Sequence, residues 1–120
     1  MSQPHEVDES ALQDLLRSTG NDSAFVSELI DTYLTDSREL LVTMRQAIRD
    51  GNTEQLRKAA HTLKSSSASL GAGAVARLCL EVEQQARAGA LAAGAEFLAS
   101  IEAAQAAAEH ELNALRLALP

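Results

Sequence analysis

The sequence predicts an all-α domain: an antiparallel up-down four-helix bundle with a short additional N-terminal helix. Three observations carry that expectation. Of 120 residues, 46% are hydrophobic but only 2% aromatic, so the core has to be built from aliphatic side chains, mainly alanine and leucine. The residues between them are largely Glu, Gln and Arg, strong helix formers, while β-branched residues are sparse. Finally, apolar residues recur at three-and-four spacing in segments joined by a few residues, and connections that short force neighbouring helices to run antiparallel.

Each element has its own signals. Residues 1–6 are expected to form a loose tail and residues 7–119 the domain. Asp8 caps a short helix carrying Ala11, Leu12, Leu15 and Leu16 on one side, and Gly20 ends it. Asn21 and Asp22 offer caps for a long second helix reaching about Asp50. Its stripe is Val26, Leu29, Ile30, Tyr33, Leu40, Leu41, Met44 and Ile48, and Gly51 stands where a left-handed C-terminal cap is wanted. Asn52 and Gln55 resemble a capping box that opens a third helix, which ends near Leu70 at Gly71. A fourth helix carries Val75, Leu78, Cys79, Val82 and Ala86 and stops near Gly89. The fifth, from about Leu91 to Leu117, buries Leu98, Ile101, Leu112 and Leu115. The first helix is short enough to cover one end of the bundle.

The net charge of −7 argues against non-specific nucleic-acid binding, which needs a basic surface. A single cysteine, Cys79, cannot form an intramolecular disulfide and suits a reducing compartment. No apolar run is long enough to span a bilayer, and Met1 to His5 has no signal-peptide character. The expected location is the cytoplasm.

The chemistry points to the third helix. On a wheel of about 100° per residue, Leu56, Ala59, Ala60, Leu63, Ser66, Ser67 and Leu70 fall on one side. His61 falls almost opposite the centre of that stripe, and its same-face neighbours are Arg57, Lys58, Lys64 and Ser65, with Ala68 one turn beyond Lys64. A neutral imidazole has one bare nitrogen able to attack phosphorus, the resulting N–P bond is labile, and adjacent cations stabilise a transferring phosphoryl group. The wheel alone leaves two readings open: a phosphoryl carrier, or an ordinary surface histidine among solvated lysines.

The run Ala60-His61-Thr62-Leu63-Lys64-Ser65-Ser66-Ser67-Ala68-Ser69-Leu70-Gly71-Ala72 resembles the signature of histidine-containing phosphotransfer (HPt) domains: a histidine, any residue, Leu-Lys-Gly-Ser, and a glycine a few residues on. Leu78, Cys79, Glu83 and Arg87 resemble the family's pattern in the next helix, and the helix plan resembles the family over nearly the whole chain. The resemblance implies that His61 is phosphorylated and that Lys64 neutralises the phosphoryl charge. It places Glu83 where a polar family residue hydrogen-bonds the imidazole; a carboxylate there would accept from Nδ1–H and leave Nε2 as nucleophile, the alternative being a solvated charge. Arg87, one turn on, belongs to the same surface. Ser65 replaces the family's usual glycine, adding bulk where a partner docks and a hydroxyl that can bond phosphoryl oxygens. The implied partners are receiver domains of hybrid histidine kinases and response regulators, with no resident cofactor and with magnesium on the receiver. A monomer is expected, a phosphocarrier with nothing to bind ATP.

Phe25, off the main stripe of the second helix, and Leu29, one turn later, either contribute an apolar docking patch or contact the first helix. Cys79 is expected to be inert core. His110 lacks partners at metal-ligand spacing, and no metal site is expected. Two other functions compete: an HPt-like module that docks on a receiver or kinase without transfer, and a purely structural bundle. A helical metalloenzyme would need inward-facing carboxylate and histidine pairs, which the pattern lacks.

Overall fold

A computed structural model describes residues 6–91 and 94–120, so most of the expected tail lies outside the described residues. Five helices follow in order: α1 Glu9–Ser18, α2 Ser23–Asp50, α3 Thr53–Ser69, α4 Gly73–Arg87 and α5 Gly94–Leu117. α2 packs on α3 and α5, and α4 packs on the same two, closing a four-helix ring, while α1 leans on α2. α5 was expected from about Leu91; residues 92–93 lie outside the described residues, and the described helix runs from Gly94 to Leu117.

The helix ends form as the sequence chemistry dictates. Asp8, Asp22 and Asn52 each accept a hydrogen bond from a backbone N–H in the first turn of the helix they precede. Gly51 adopts the left-handed conformation expected of the α2 cap, with φ 67°. Asn52 caps through its carbonyl oxygen to the Gln55 N–H.

The lead-in to α1 fastens one end of the bundle. Val7 is buried and bridges Ala72. The Asp8 N–H donates to the Gly71 carbonyl at 2.9 Å, and the Glu6 N–H donates to the Glu111 carboxylate at 2.8 Å. Gly71 has φ 78°, and a Cβ on it would lie 2.6 Å from the Asp8 carbonyl oxygen, so only glycine fits this crossing.

The core is mostly aliphatic, with Ile30, Met44, Leu56, Leu63, Ile101 and Leu112 almost completely buried. It also holds a polar chain that a purely aliphatic expectation misses. The Ser67 hydroxyl and Tyr33 phenol lie 2.7 Å apart, and the phenol donates to Gln105 Oε1 at 2.8 Å. A phenol has one proton, so Ser67 is the donor to Tyr33. Gln105 Nε2 then donates to Ser37 Oγ at 2.7 Å, and Ser37 donates to the Leu34 carbonyl. Every member is satisfied, which makes the burial of four polar side chains tolerable. Burial raises the Tyr33 pKa above its usual value, and the phenol stays protonated.

On the outside, Arg38–Glu109, Arg45–Glu102 and Asp31–Arg116 ion pairs tie α2 to α5. They fix which faces meet more than they stabilise, since exposed pairs contribute about 0–1 kcal/mol each.

Candidate functional site

α3 presents its polar face beside α4, and the side chains that meet there are His61 and Lys64 from α3 and Glu83 and Arg87 from α4. The His61 side chain is 55% exposed. Its Nδ1 lies 2.8 Å from Glu83 Oε2, Lys64 Nζ donates to Glu83 Oε1 at 2.6 Å, and an Arg87 guanidinium nitrogen donates to Oε2 at 3.3 Å.

Glu83 is the centre of this cluster. Its side chain is only 2% exposed, so the alternative of a solvated charge does not hold. Hydrogen bonding from Lys64, more than that from His61, holds its carboxyl below the usual glutamate value, against the opposing effect of burial. It is therefore an ionised carboxylate at neutral pH, and a carboxylate can only accept. The proton of a neutral His61 ring then sits on Nδ1, and Nε2 keeps its lone pair toward the exposed side of the ring.

The surrounding hydroxyls are mostly spoken for. Thr62, Ser66 and Ser69 donate to backbone carbonyls one turn back, each at 3.1 Å. Ser67 belongs to the Tyr33 chain. Ser65 is exposed, and its hydroxyl has no hydrogen-bond partner among the described residues. Ser66, placed on the core face by the wheel, is instead half-buried at the α2–α3 seam, because its hydroxyl is satisfied within its own helix and needs no core partner.

The other candidates lie around this cluster. Arg57 is held by Glu54, one turn toward the start of α3, at 2.6 Å. Lys58 and Ala68 are exposed. Leu29 lines an apolar groove of about 260 Å³ together with Leu15, Leu40, Thr62 and Leu70. Phe25, one turn before Leu29 on α2, is 44% exposed and does not line that groove. The groove itself was not visible in the sequence: Leu15, Leu40 and Leu70 are each members of a helix stripe, and only assembly brings the half-buried Leu15 and Leu40 and the buried Leu70 together beside Thr62.

Cys79 is fully buried behind the site, and burial pushes its thiol up to about 12, so it is not a nucleophile. No group of three or more metal-ligating side chains assembles among the described residues. Nor, among them, is any helix long and apolar enough to cross a membrane.

Comparison with known proteins agrees with this geometry. No curated protein matches the chain in sequence. Histidine-containing phosphotransfer protein B from Pseudomonas aeruginosa PAO1 is similar in structure with a TM-score of 0.88, at 28% identity over 99% of this chain and 100% of that one. The HPT domain of a sensor hybrid histidine kinase from Shewanella shares the fold, with a TM-score of 0.73 at 15% identity over 92% of this chain and 93% of that one. The sequence profile of the Hpt domain matches residues 28–118, a span that takes in the whole His61–Glu83 cluster, most of α2 and all of α3, α4 and α5, and the chain therefore belongs to the Hpt-domain family, the phosphotransfer modules of phosphorelays.

Proposed function

We propose that this chain accepts a phosphoryl group on Nε2 of His61 from the aspartyl phosphate of one receiver domain and gives it to the aspartate of another, reversibly. The observation that carries the reading is the 2.8 Å contact between His61 Nδ1 and the buried Glu83 carboxylate, which in the neutral ring places the proton on Nδ1 and makes Nε2 the nucleophile.

In the forward step the Nε2 lone pair attacks phosphorus. The P–O bond to the donor aspartate breaks, and its electron pair leaves on the aspartate carboxylate. The ring becomes positively charged, and its proton stays on Nδ1, hydrogen-bonded to Glu83, whose negative charge balances it. In the next step the acceptor aspartate attacks phosphorus, and the N–P electron pair returns to Nε2. Lys64 offsets the phosphoryl charge, and the Ser65 hydroxyl is available to its oxygens. The magnesium that assists this chemistry is a receiver ligand, and the carrier itself needs no ATP site.

Hpt domains work with receiver domains in two-component systems, and here the receiver would cover the exposed face of α3. Arg57 and Lys58, one turn before His61 on α3, Ala68, two turns after it, and Arg87 on α4 would meet the receiver there, and the groove at Leu29 and Thr62 would add apolar area. Phe25, exposed on α2 one turn before Leu29, would add to that apolar area. We read the working form as a cytoplasmic monomer.

The test is incubation with a receiver domain phosphorylated on aspartate. A carrier removes phosphate from the receiver and holds it in a form labile to acid and stable to base, as a phosphohistidine is. A module that docks without transfer leaves the phosphate on the receiver, and that result overturns the proposal.

A further inference from the structure

The three donors around Glu83 are not equivalent, and their arrangement raises a question that transfer itself poses. In the unphosphorylated protein, Lys64 spends its charge on Glu83 Oε1 at 2.6 Å. That carboxylate is on the Nδ1 side of the His61 ring, whereas a phosphoryl group would sit on Nε2, and it would bring about two negative charges. For Lys64 to offset them, it has to turn away from Glu83. The turn strips the shortest contact from a carboxylate that is 2% exposed, and a buried charge left without a cation is strongly disfavoured.

Resting on the reading of His61 as carrier, we propose that Arg87 is a positioning residue: it takes over the neutralisation of Glu83 and so releases Lys64 to the phosphoryl group. Arg87 lies one turn beyond Glu83 on α4, and its present contact with Oε2, at 3.3 Å, is loose beside the 2.6 Å of Lys64. Its side chain is 63% exposed, so it has room to move. The guanidinium presents five donors in a fork that fits both oxygens of one carboxylate, so tightening on Glu83 replaces the lost Lys64 contact without a second cation. Arg87 then governs how long phosphate stays on His61 without touching the phosphoryl group.

The test needs no partner protein. Phosphoramidate transfers its phosphoryl group to histidine: the Nε2–P bond forms as the donor P–N bond breaks and ammonia leaves. Phosphohistidine lifetime is followed by ³¹P NMR, and the Lys64 ammonium by ¹H–¹⁵N NMR, in the wild type, R87A, R87K, K64A and the K64A/R87A double variant. In the wild type the Lys64 ammonium signal is expected to shift on phosphorylation. In R87A that shift shrinks and the phosphohistidine lifetime falls about three-fold, the scale of one partly exposed charge pair. R87K restores most of both, and R87A has no further effect on lifetime once Lys64 is gone. An undiminished Lys64 shift in R87A overturns the proposal. So does an equal loss of lifetime in the K64A background, which would mean that Arg87 acts on the phosphoryl group directly. If the wild type and H61Q label alike, it is the carrier assignment that fails, and this proposal falls with it.

Discussion

Lys64 is the residue whose role the structure changes most. From the sequence it is an exposed cation, available to a phosphoryl group and of little consequence for folding. In the fold it is only 27% exposed and is one of three donors to a buried carboxylate. Lys64→Ala is therefore expected to slow phosphoryl transfer roughly ten-fold or more, the size of a lost electrostatic contact of about 1.4 kcal/mol or above. It should also destabilise the fold by about 1–3 kcal/mol, because Glu83 loses its shortest partner. Chemical denaturation and transfer kinetics on the same variant check both, and unchanged stability would mean that Glu83 does not rely on Lys64. The Glu83 carboxyl gives a second handle. Its pKa is lower in the folded protein than its ordinary 4.5, so between those two values the unfolded chain binds more protons. The stabilisation is thus present above about pH 4.5 and lost as pH falls through the depressed folded value. Urea midpoints of the wild type should fall more steeply below that pH than those of Glu83→Gln, and parallel curves would contradict the assignment. The sequence pointed to Glu83 as a partner of His61 through the family pattern alone. Its burial was not legible, because a glutamate between Val82 and Gln84 reads as surface until three donors are seen to converge on it.

At the scale of elements, the turns are where sequence and structure agree most closely, since caps are local chemistry. Asp8, Asp22, Asn52 and Gly51 all act where their residue types indicated. What local chemistry does not reveal is which turns also touch something distant. Gly71 was expected only to stop α3, yet it also lets the α1 lead-in cross beneath it. Gly71→Ala should cost about 1–3 kcal/mol for overpacking against the Asp8 carbonyl, on top of the left-handed backbone strain of about 1–2 kcal/mol. Gly20→Ala separates the two terms: Gly20 has a similar φ of 71° but nothing within 4 Å of the added Cβ, so it should show the strain alone. Equal losses in the two variants would mean that the Asp8 crossing is soft. α5 was the hardest helix to read. With alanines on every side its apolar stripe has little contrast, so the burial of Ala104, Gln105 and Ala108 emerges only from packing, and Gln105 is drawn inward by Tyr33 and Ser37.

For the whole molecule, the proposed division of labour is simple: four packed helices are the support, and one face of α3 with two residues of α4 carries the proposed chemistry. The Ser67–Tyr33–Gln105–Ser37 chain links α2, α3 and α5 through the core, so α3 is fixed from behind while its outer face stays open. This separation means that the reactive imidazole can be changed without disturbing the support. A glutamine at position 61 still offers Glu83 a donor, and Lys64 and Arg87 remain in place. The most direct measurement is therefore phosphate uptake by the wild type and His61→Gln from the same phosphorylated receiver, with helical content and thermal midpoint recorded for both. The wild type is expected to take up acid-labile, base-stable phosphate, and His61→Gln to take up none while keeping its fold. Full labelling of folded His61→Gln would contradict the account, because the phosphate would then have to be carried elsewhere.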